Sequence, residues 1–191
     1  MKSRSSKGKI STSKKISTKG RVEQPAKKSD TSFPIGGVGA SAGGLEAFTE
    51  LLKHLPPNIG MGLVLVQHLD PLHESAIKQI LSRASLMPVL EVTNYLRVLA
   101  NHVYLIPPNS SLGIVGGVLK LQPRTPTRSI DCFFESLSRD QRGKAIGVVF
   151  SGTATDGTLR LESIKAEGGI TFAQENSAKY DTIIFRRLIF R

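Results

Sequence analysis

Cysteine and long apolar runs are scarce in this sequence. The one cysteine, Cys132, excludes a disulfide framework and a cysteine-based metal site. It stands in the apolar stretch 130–134, where a small free thiol is expected to serve as a core side chain. The longest apolar run, 61–66, is far too short to cross a bilayer, and no continuous apolar stretch follows the first charges as in a secretory signal. We therefore expect a cytoplasmic protein with no membrane span.

Acidic residues are also scarce at the start of the chain. Residues 1–30 hold ten Lys or Arg and two acidic residues, whereas the rest of the chain holds sixteen and thirteen. The net charge of +11 therefore says little about whether the body of the protein binds nucleic acid. Residues 1–32 have too few apolar side chains to offset the entropy lost on folding, so we expect a disordered basic tail. This tail is a solvated leader or, alternatively, a segment that contacts polyanions.

Short apolar runs alternate with amphipathic segments from Phe33 onward, which predicts an α/β fold. The predicted strands are 34–38, 62–66, 103–106, 145–150 and 170–173, and the predicted helices are 44–54, 74–84, 129–138 and 157–166. Two further apolar runs flank Gly116-Gly117, which is typical of a β-hairpin. We expect a doubly wound, mostly parallel sheet with helices on both faces and one antiparallel hairpin.

A serine follows the first predicted strand at the place where ligands bind in such folds. Ligands lie outside the carboxyl ends of the strands. There the segment 39–43 reads G-x-S-x-G, between a predicted strand and a predicted helix. A serine in this context lies on a tight turn that exposes its hydroxyl, so Ser41 is a candidate nucleophile. A structural glycine turn or a phosphate cradle is the alternative, because 37–42 also loosely fits a dinucleotide-binding pattern.

A histidine follows the second predicted strand. A dinucleotide site would place an acidic residue there, but the strand ends in Gln67 and His68. Histidine, with an ordinary pKa of about 6.5, can take the proton of a serine at neutral pH and return it to a leaving group. His73 is a weaker candidate because it opens a predicted helix, and His54 and His102 are interpreted as structural.

An aspartate in the loop after strand 145–150 completes a candidate triad. Asp156 would orient the imidazole of His68 and stabilise its charged form. A helix N-cap would also explain Asp156, and Asp70 is an alternative partner for His68. The triad is favoured because three separate strands deliver Ser, His and Asp to one edge of the predicted sheet.

Five stretches of the sequence occur together in one order and spacing: GASAGG (39–44), VQH (66–68), VYLIPP (103–108), SIDCFF (129–134) and SGTATDG (151–157). With these stretches, the chain from Ile35 to about Asp181 resembles the catalytic domain of chemotaxis methylesterases of the CheB type. The end of this region, 171–181, is most similar to versions fused to methyltransferase and sensor modules.

This resemblance implies a serine hydrolase with the triad Ser41, His68 and Asp156 and with no cofactor or metal. It implies hydrolysis of glutamate γ-methyl esters on chemoreceptors, and in some members deamidation of glutamine. The implied partners are a methylated chemoreceptor or related signalling protein, with methyltransferase or sensor modules in trans.

The resemblance also sets the expected domain limits. We expect the tail to stand in place of the family's usual receiver domain, and the catalytic domain to cover 33–181. Residues 182–191 depart from the family's Gly-Met-Pro-Arg-Ser continuation, so we expect a domain that is incomplete at its C-terminal end. The alternative function is a catalytically inactive remnant or binding module.

Overall fold

The structure is a computed structural model that describes residues 32–40, 44–67, 74–123, 129–150 and 158–173. Its strands are β1 (Ile35–Ala40), β2 (Gly62–Gln67), β3 (Val89–Glu91), β4 (Leu96–Arg97), β5 (His102–Leu105), β6 (Ser110–Val115), β7 (Val118–Pro123), β8 (Ala145–Val149) and β9 (Ile170–Ala173). Its α-helices are α1 (Gly44–His54), α2 (Glu74–Ala84), α3 (Ser129–Gln141) and α4 (Thr158–Ala166), and a short 3₁₀ helix covers Arg142–Lys144.

Six of the strands form one parallel sheet, in the order β3-β5-β2-β1-β8-β9. The prediction of a mostly parallel, doubly wound sheet is confirmed. β1 extends to Ala40, two residues further than predicted. β3 was not predicted, because a strand of three residues is too short to show a pattern of its own.

Helices cover both faces of this sheet, as predicted. α1, α2 and α3 are amphipathic, and each turns an apolar face toward the sheet. On one face, α1 and α2 pack in an apolar cluster that includes Phe48, Leu52, Leu81 and, from β1 and β2, Val38 and Leu65. On the other face, α3 and α4 pack in a second cluster that includes Phe133, Phe134, Leu137, Leu161 and Ile164.

Glycine in β1 brings α3 unusually close to the sheet. A Cβ at Gly39 would lie 2.5 Å from Cγ2 of Ile130, so only a hydrogen atom fits there. Ile130 therefore rests directly on the backbone of β1 near its carboxyl end, and Leu137 lies beside Gly37, nearer the start of the strand. α3 thus runs opposite to β1, and its first turn lies at the carboxyl edge of the sheet.

The predicted hairpin belongs to a separate antiparallel sheet with the order β4-β7-β6. Gly116 and Gly117 both adopt positive φ at its turn, as a tight two-residue hairpin requires. The carboxylate of Asp140 in α3 accepts hydrogen bonds from both of their N–H groups. These two bonds fix the turn of the small sheet to α3. The two-residue strand β4 was not predicted.

A buried tyrosine holds the chain between β4 and β5. Tyr104 is fully buried, and its hydroxyl accepts a hydrogen bond of 2.8 Å from the N–H of Leu99. Burial raises the pKa of Tyr104 above the ordinary value of 10.0, and the bond from Leu99 partly opposes that shift. Within the described ranges, no helix has the length and apolar character needed to cross a membrane.

Candidate active site

Three neighbouring strands end together at the carboxyl edge of the parallel sheet. β1 lies between β2 and β8, and all three run in the same direction. Ala40 pairs with Gln67, the last residue of β2, and Gly39 pairs with Val149, the last residue of β8. The N–H of Phe150 donates to the carbonyl oxygen of Gly39 over 2.9 Å, which continues the alignment one residue further.

The three predicted triad residues lie outside the described residues. Ser41 follows Ala40 directly, His68 follows Gln67 directly, and Asp156 stands two residues before the start of α4. Their side chains and mutual distances stay a prediction. The alternatives Asp70 and His73 also lie outside the described residues. The structure does establish the arrangement of the preceding strands. β1 precedes Ser41, β2 precedes His68 and β8 precedes the 151–157 segment, and β1 pairs in register with both β2 and β8.

The strand order reverses at this place. From β1 the chain passes through α1 to β2 on one side, whereas β8 pairs with the other edge of β1 and continues through α4 to β9. α1 and α4 lie on opposite faces of the sheet. Such a reversal opens a crevice at the carboxyl ends of the strands, where doubly wound proteins bind their ligands. Both helices also begin at this edge, which turns their positive dipole ends toward it.

Gln67 packs closely against the first residue of α1. A Cβ at Gly44 would lie 2.8 Å from both Cδ and Nε2 of Gln67, and 2.7 Å from Cβ of Ala40. Only glycine can therefore occupy position 44 without displacing a neighbour. In the sequence, Gln67 counts against a ribose-binding acid and forms part of the VQH stretch, but its contact with Gly44 was not predicted. No sequence pattern signals it, because it depends on the pairing of β1 with β2.

The first turn of α3 adds polar groups to the same edge. Ser129 and Asp131 are 3% and 8% exposed, and Ile130 between them contacts Gly39. Cys132, predicted as a core residue, is only half-buried on this helix. Its neighbours Phe133 and Phe134 are the residues that fill the core.

α4, which follows the 151–157 segment, is held against α3. Leu161 and Ile164 pack in the same apolar cluster as Phe133 and Phe134. Nη2 of Arg160 also lies 3.5 Å from Oε2 of Glu135 in α3. Both side chains are about one-third exposed, so this ion pair contributes little stability compared with the apolar contacts.

The two histidines interpreted as structural lie at the opposite, amino edge of the sheet. His54 is the last residue of α1, and its Nδ1 lies 2.8 Å from the carbonyl oxygen of Glu50. His102 is the first residue of β5, and its Nδ1 lies 2.8 Å from the carbonyl oxygen of Ala100. Among the described residues, no three His, Cys, Asp or Glu side chains are grouped so that they could hold a metal ion.

Comparison with known proteins identifies similar sequences. Residues 36–183 match the family described as CheB methylesterase. A protein of Bordetella avium (strain 197N) named protein-glutamate methylesterase/protein-glutamine glutaminase 1 is 34% identical over 155 residues, covering 78% of this chain and 45% of that protein. A protein of Burkholderia pseudomallei (strain 1710b), numbered 2 under the same name, is 37% identical over 149 residues, covering 75% of this chain and 44% of that protein. The chain thus spans less than half the length of these relatives.

A solved structure shares the fold. The crystal structure of the Thermotoga maritima CheB methylesterase catalytic domain superposes with a TM-score of 0.71 at 24% sequence identity. The match covers 77% of this chain and 82% of the other. At this identity the likeness establishes the α/β architecture.

Proposed function

We propose that this chain, which belongs to the CheB methylesterase family, is a serine hydrolase that removes methyl groups from glutamate γ-methyl esters of proteins. The observation that carries the proposal is the register of the central strands. Ala40 and Gln67 are paired, and Gly39 is paired with Val149, so the positions just before Ser41, His68 and the Asp156 segment share one edge.

In the proposed reaction, Ser41 Oγ attacks the ester carbonyl carbon while His68 takes the serine proton. The tetrahedral intermediate collapses, the C–O bond to the methoxy group breaks, and His68 returns the proton so that methanol leaves. Water, deprotonated by His68, then attacks the acyl-serine. The C–O bond to Ser41 breaks, His68 returns the proton to Ser41 Oγ, and the glutamate product leaves and loses its acid proton to solvent as the carboxylate. Asp156 holds the imidazole in the required tautomer throughout and stabilises its charged form.

The developing oxyanion needs hydrogen-bond donors fixed in place before the reaction. We assign this role to backbone N–H groups near Ala42 and in the loop that contains Thr153. The positive end of the α1 dipole favours negative charge at the start of that helix, which supports the assignment on the Ser41 side.

The proposed partner is a methylated chemoreceptor or a related signalling protein, and the proposed location is the cytoplasm. The names of the Bordetella and Burkholderia relatives include a glutaminase activity, so we propose deamidation of protein glutamine as a second reaction of the same site. The nucleophile and base would be unchanged, and ammonia would leave in place of methanol. Methyltransferase and sensor modules would act in trans, and residues 1–32 would form a tail outside the catalytic domain.

A serine-directed fluorophosphonate probe tests the nucleophile. The full chain should be labelled, and Ser41→Ala should abolish both labelling and methanol release from a peptide bearing a glutamate γ-methyl ester. Ser85→Ala is the matched control, since the hydroxyl of Ser85, just after α2, bonds to the backbone of Met87 in the described part of the chain. Labelling that persists in Ser41→Ala would show that the nucleophile is elsewhere. A folded wild-type chain without labelling would favour the inactive remnant.

A further inference from the structure

Gln67 touches both ends of the segment that carries Ser41. Its backbone is paired with Ala40, the residue directly before Ser41. Its carboxamide lies over Gly44, the residue that ends the 41–43 segment and begins α1. Gln67 is also covalently joined to His68. One residue is therefore in contact with both flanks of the proposed nucleophile and bonded to the proposed base.

The fit around this carboxamide is tight. Gly44 is buried, and a single added carbon there would lie 2.8 Å from Cδ and Nε2 of Gln67, well inside van der Waals contact. Oε1 of Gln67 is closed off from solvent. Close-packed interiors transmit small displacements, because neighbouring atoms have no free volume into which they can relax. A shorter side chain at position 67 would remove this contact between the end of β2 and the start of α1.

We propose that Gln67 is a positioning residue of the esterase site, whose carboxamide sets the separation of the Ser41 segment from His68. This inference rests on the proposed function. Serine and histidine must approach to about 3 Å for proton transfer. Gln67 fixes the two strand ends from which they depart, so its side chain acts through their placement and makes no contact with the reacting atoms.

Kinetic measurements on Gln67→Ala test the role. The variant should lower kcat for γ-methyl ester hydrolysis by about 10- to 100-fold, since a displacement of about 1 Å between reacting groups has an effect of that size. KM should stay within about threefold of wild type, because the ester is still bound. The rate of fluorophosphonate labelling at Ser41 should fall in parallel with kcat, and the urea unfolding transition should remain cooperative.

Gln122→Ala is the matched control. Gln122 also places its carboxamide over a glycine, with Nε2 3.2 Å from a Cβ position at Gly113, but it lies in the small antiparallel sheet. Its removal should leave kcat and the labelling rate within about twofold of wild type. If Gln122→Ala lowered kcat as much as Gln67→Ala, the loss would not depend on the place of Gln67 between β2 and α1. That result would overturn the positioning role.

A stability measurement tests the contact independently of activity. Gly44→Ala should lower the urea midpoint in the wild-type background and lower it less in the Gln67→Ala background, because the colliding carboxamide is then absent. Equal shifts in both backgrounds would show that the contact does not restrain α1, and would overturn the inference.

The outcomes separate this inference from the proposed function. If ester hydrolysis depends on Ser41 but folded Gln67→Ala keeps kcat within about twofold of wild type, the proposed function stands and the positioning role is overturned. A folded wild-type chain that neither hydrolyses the ester nor labels at Ser41 overturns both.

Discussion

Replacement of Gly39 by alanine is the sharpest test of how α3 supports the candidate site. The new Cβ would lie 2.5, 3.2 and 3.4 Å from Cγ2, Cδ1 and Cγ1 of Ile130. Ile130 is 2% exposed and β-branched, so it has little freedom to rotate away. To make room, α3 must move away from the sheet, or β1 must bend at Gly39, which is two residues before Ser41.

Two opposing effects decide the magnitude. Overpacking of a well-packed core costs about 1–3 kcal/mol. Alanine also reduces the freedom of the unfolded chain, which stabilises by about 0.4–1 kcal/mol where the backbone is compatible. The collision is the larger effect, so we expect a net loss of about 1–2 kcal/mol in the free energy of unfolding. For a domain of this size that lowers Tm by about 2–8 °C.

Urea unfolding followed by circular dichroism measures this loss. Gly143→Ala is the matched control, because a Cβ there would approach no described residue closer than 3.7 Å. It should therefore show only the unfolded-chain effect, a stabilisation of about 0.4–1 kcal/mol. In the Ile130→Ala background, Gly39→Ala should cost less than in wild type, since Cγ2 is gone. Close packing of Ile130 on Gly39 is refuted if Gly39→Ala is as stable as Gly143→Ala. It is also refuted if Gly39→Ala lowers the free energy of unfolding equally in the wild-type and Ile130→Ala backgrounds.

Three further predictions concern activity, pH and the tail. Ser41→Ala and His68→Ala should each lower ester hydrolysis at least about a thousandfold, and the double variant should be little worse than either; effects that multiply would contradict a shared step. Burial raises the pKa of Tyr104 above the ordinary value of 10.0, because the ionised side chain is disfavoured in the folded protein. The stability contributed by neutral Tyr104 is therefore complete below pH 10 and is lost as the pH rises above that value. Tyr104→Phe, which removes the acceptor for the Leu99 N–H, should therefore be less stable than wild type by about 1–3 kcal/mol at pH 7 and by a smaller margin at pH 11; an unchanged margin in urea unfolding would contradict this. Removal of residues 1–30 should preserve the cooperative thermal transition, and any polyanion binding by the tail should weaken steeply with salt.

Much of the fold could be predicted because its signals are local. The apolar runs of β2 and β8 and the amphipathic period of α1 are visible in short windows of sequence. β3 and β4 could not be predicted, since strands of three and two residues leave no periodic pattern and are stabilised by their partners.

The candidate site was predicted in a different way. Ser41, His68 and Asp156 were selected because each was predicted to follow a strand, and the adjacency of β1, β2 and β8 confirms that these strands end side by side. The triad itself stays a prediction. The contact of Gln67 with Gly44 could not be predicted, because it joins positions that become neighbours only through the pairing of two strands.

The central position of β1 has a consequence for the order in which the protein folds during synthesis. β1 leaves the ribosome before the rest of the sheet, yet the partner on one of its edges, β8, follows about 110 residues later, as the pairing of Ile35 with Ala145 shows. At about 5–20 residues per second, that edge of β1 stays open for about 5–20 s of translation. α3, which covers its glycines, is also translated only shortly before β8. That edge of β1 therefore has no partner strand until β8 is made, and the candidate site can form only after Asp156 has been translated.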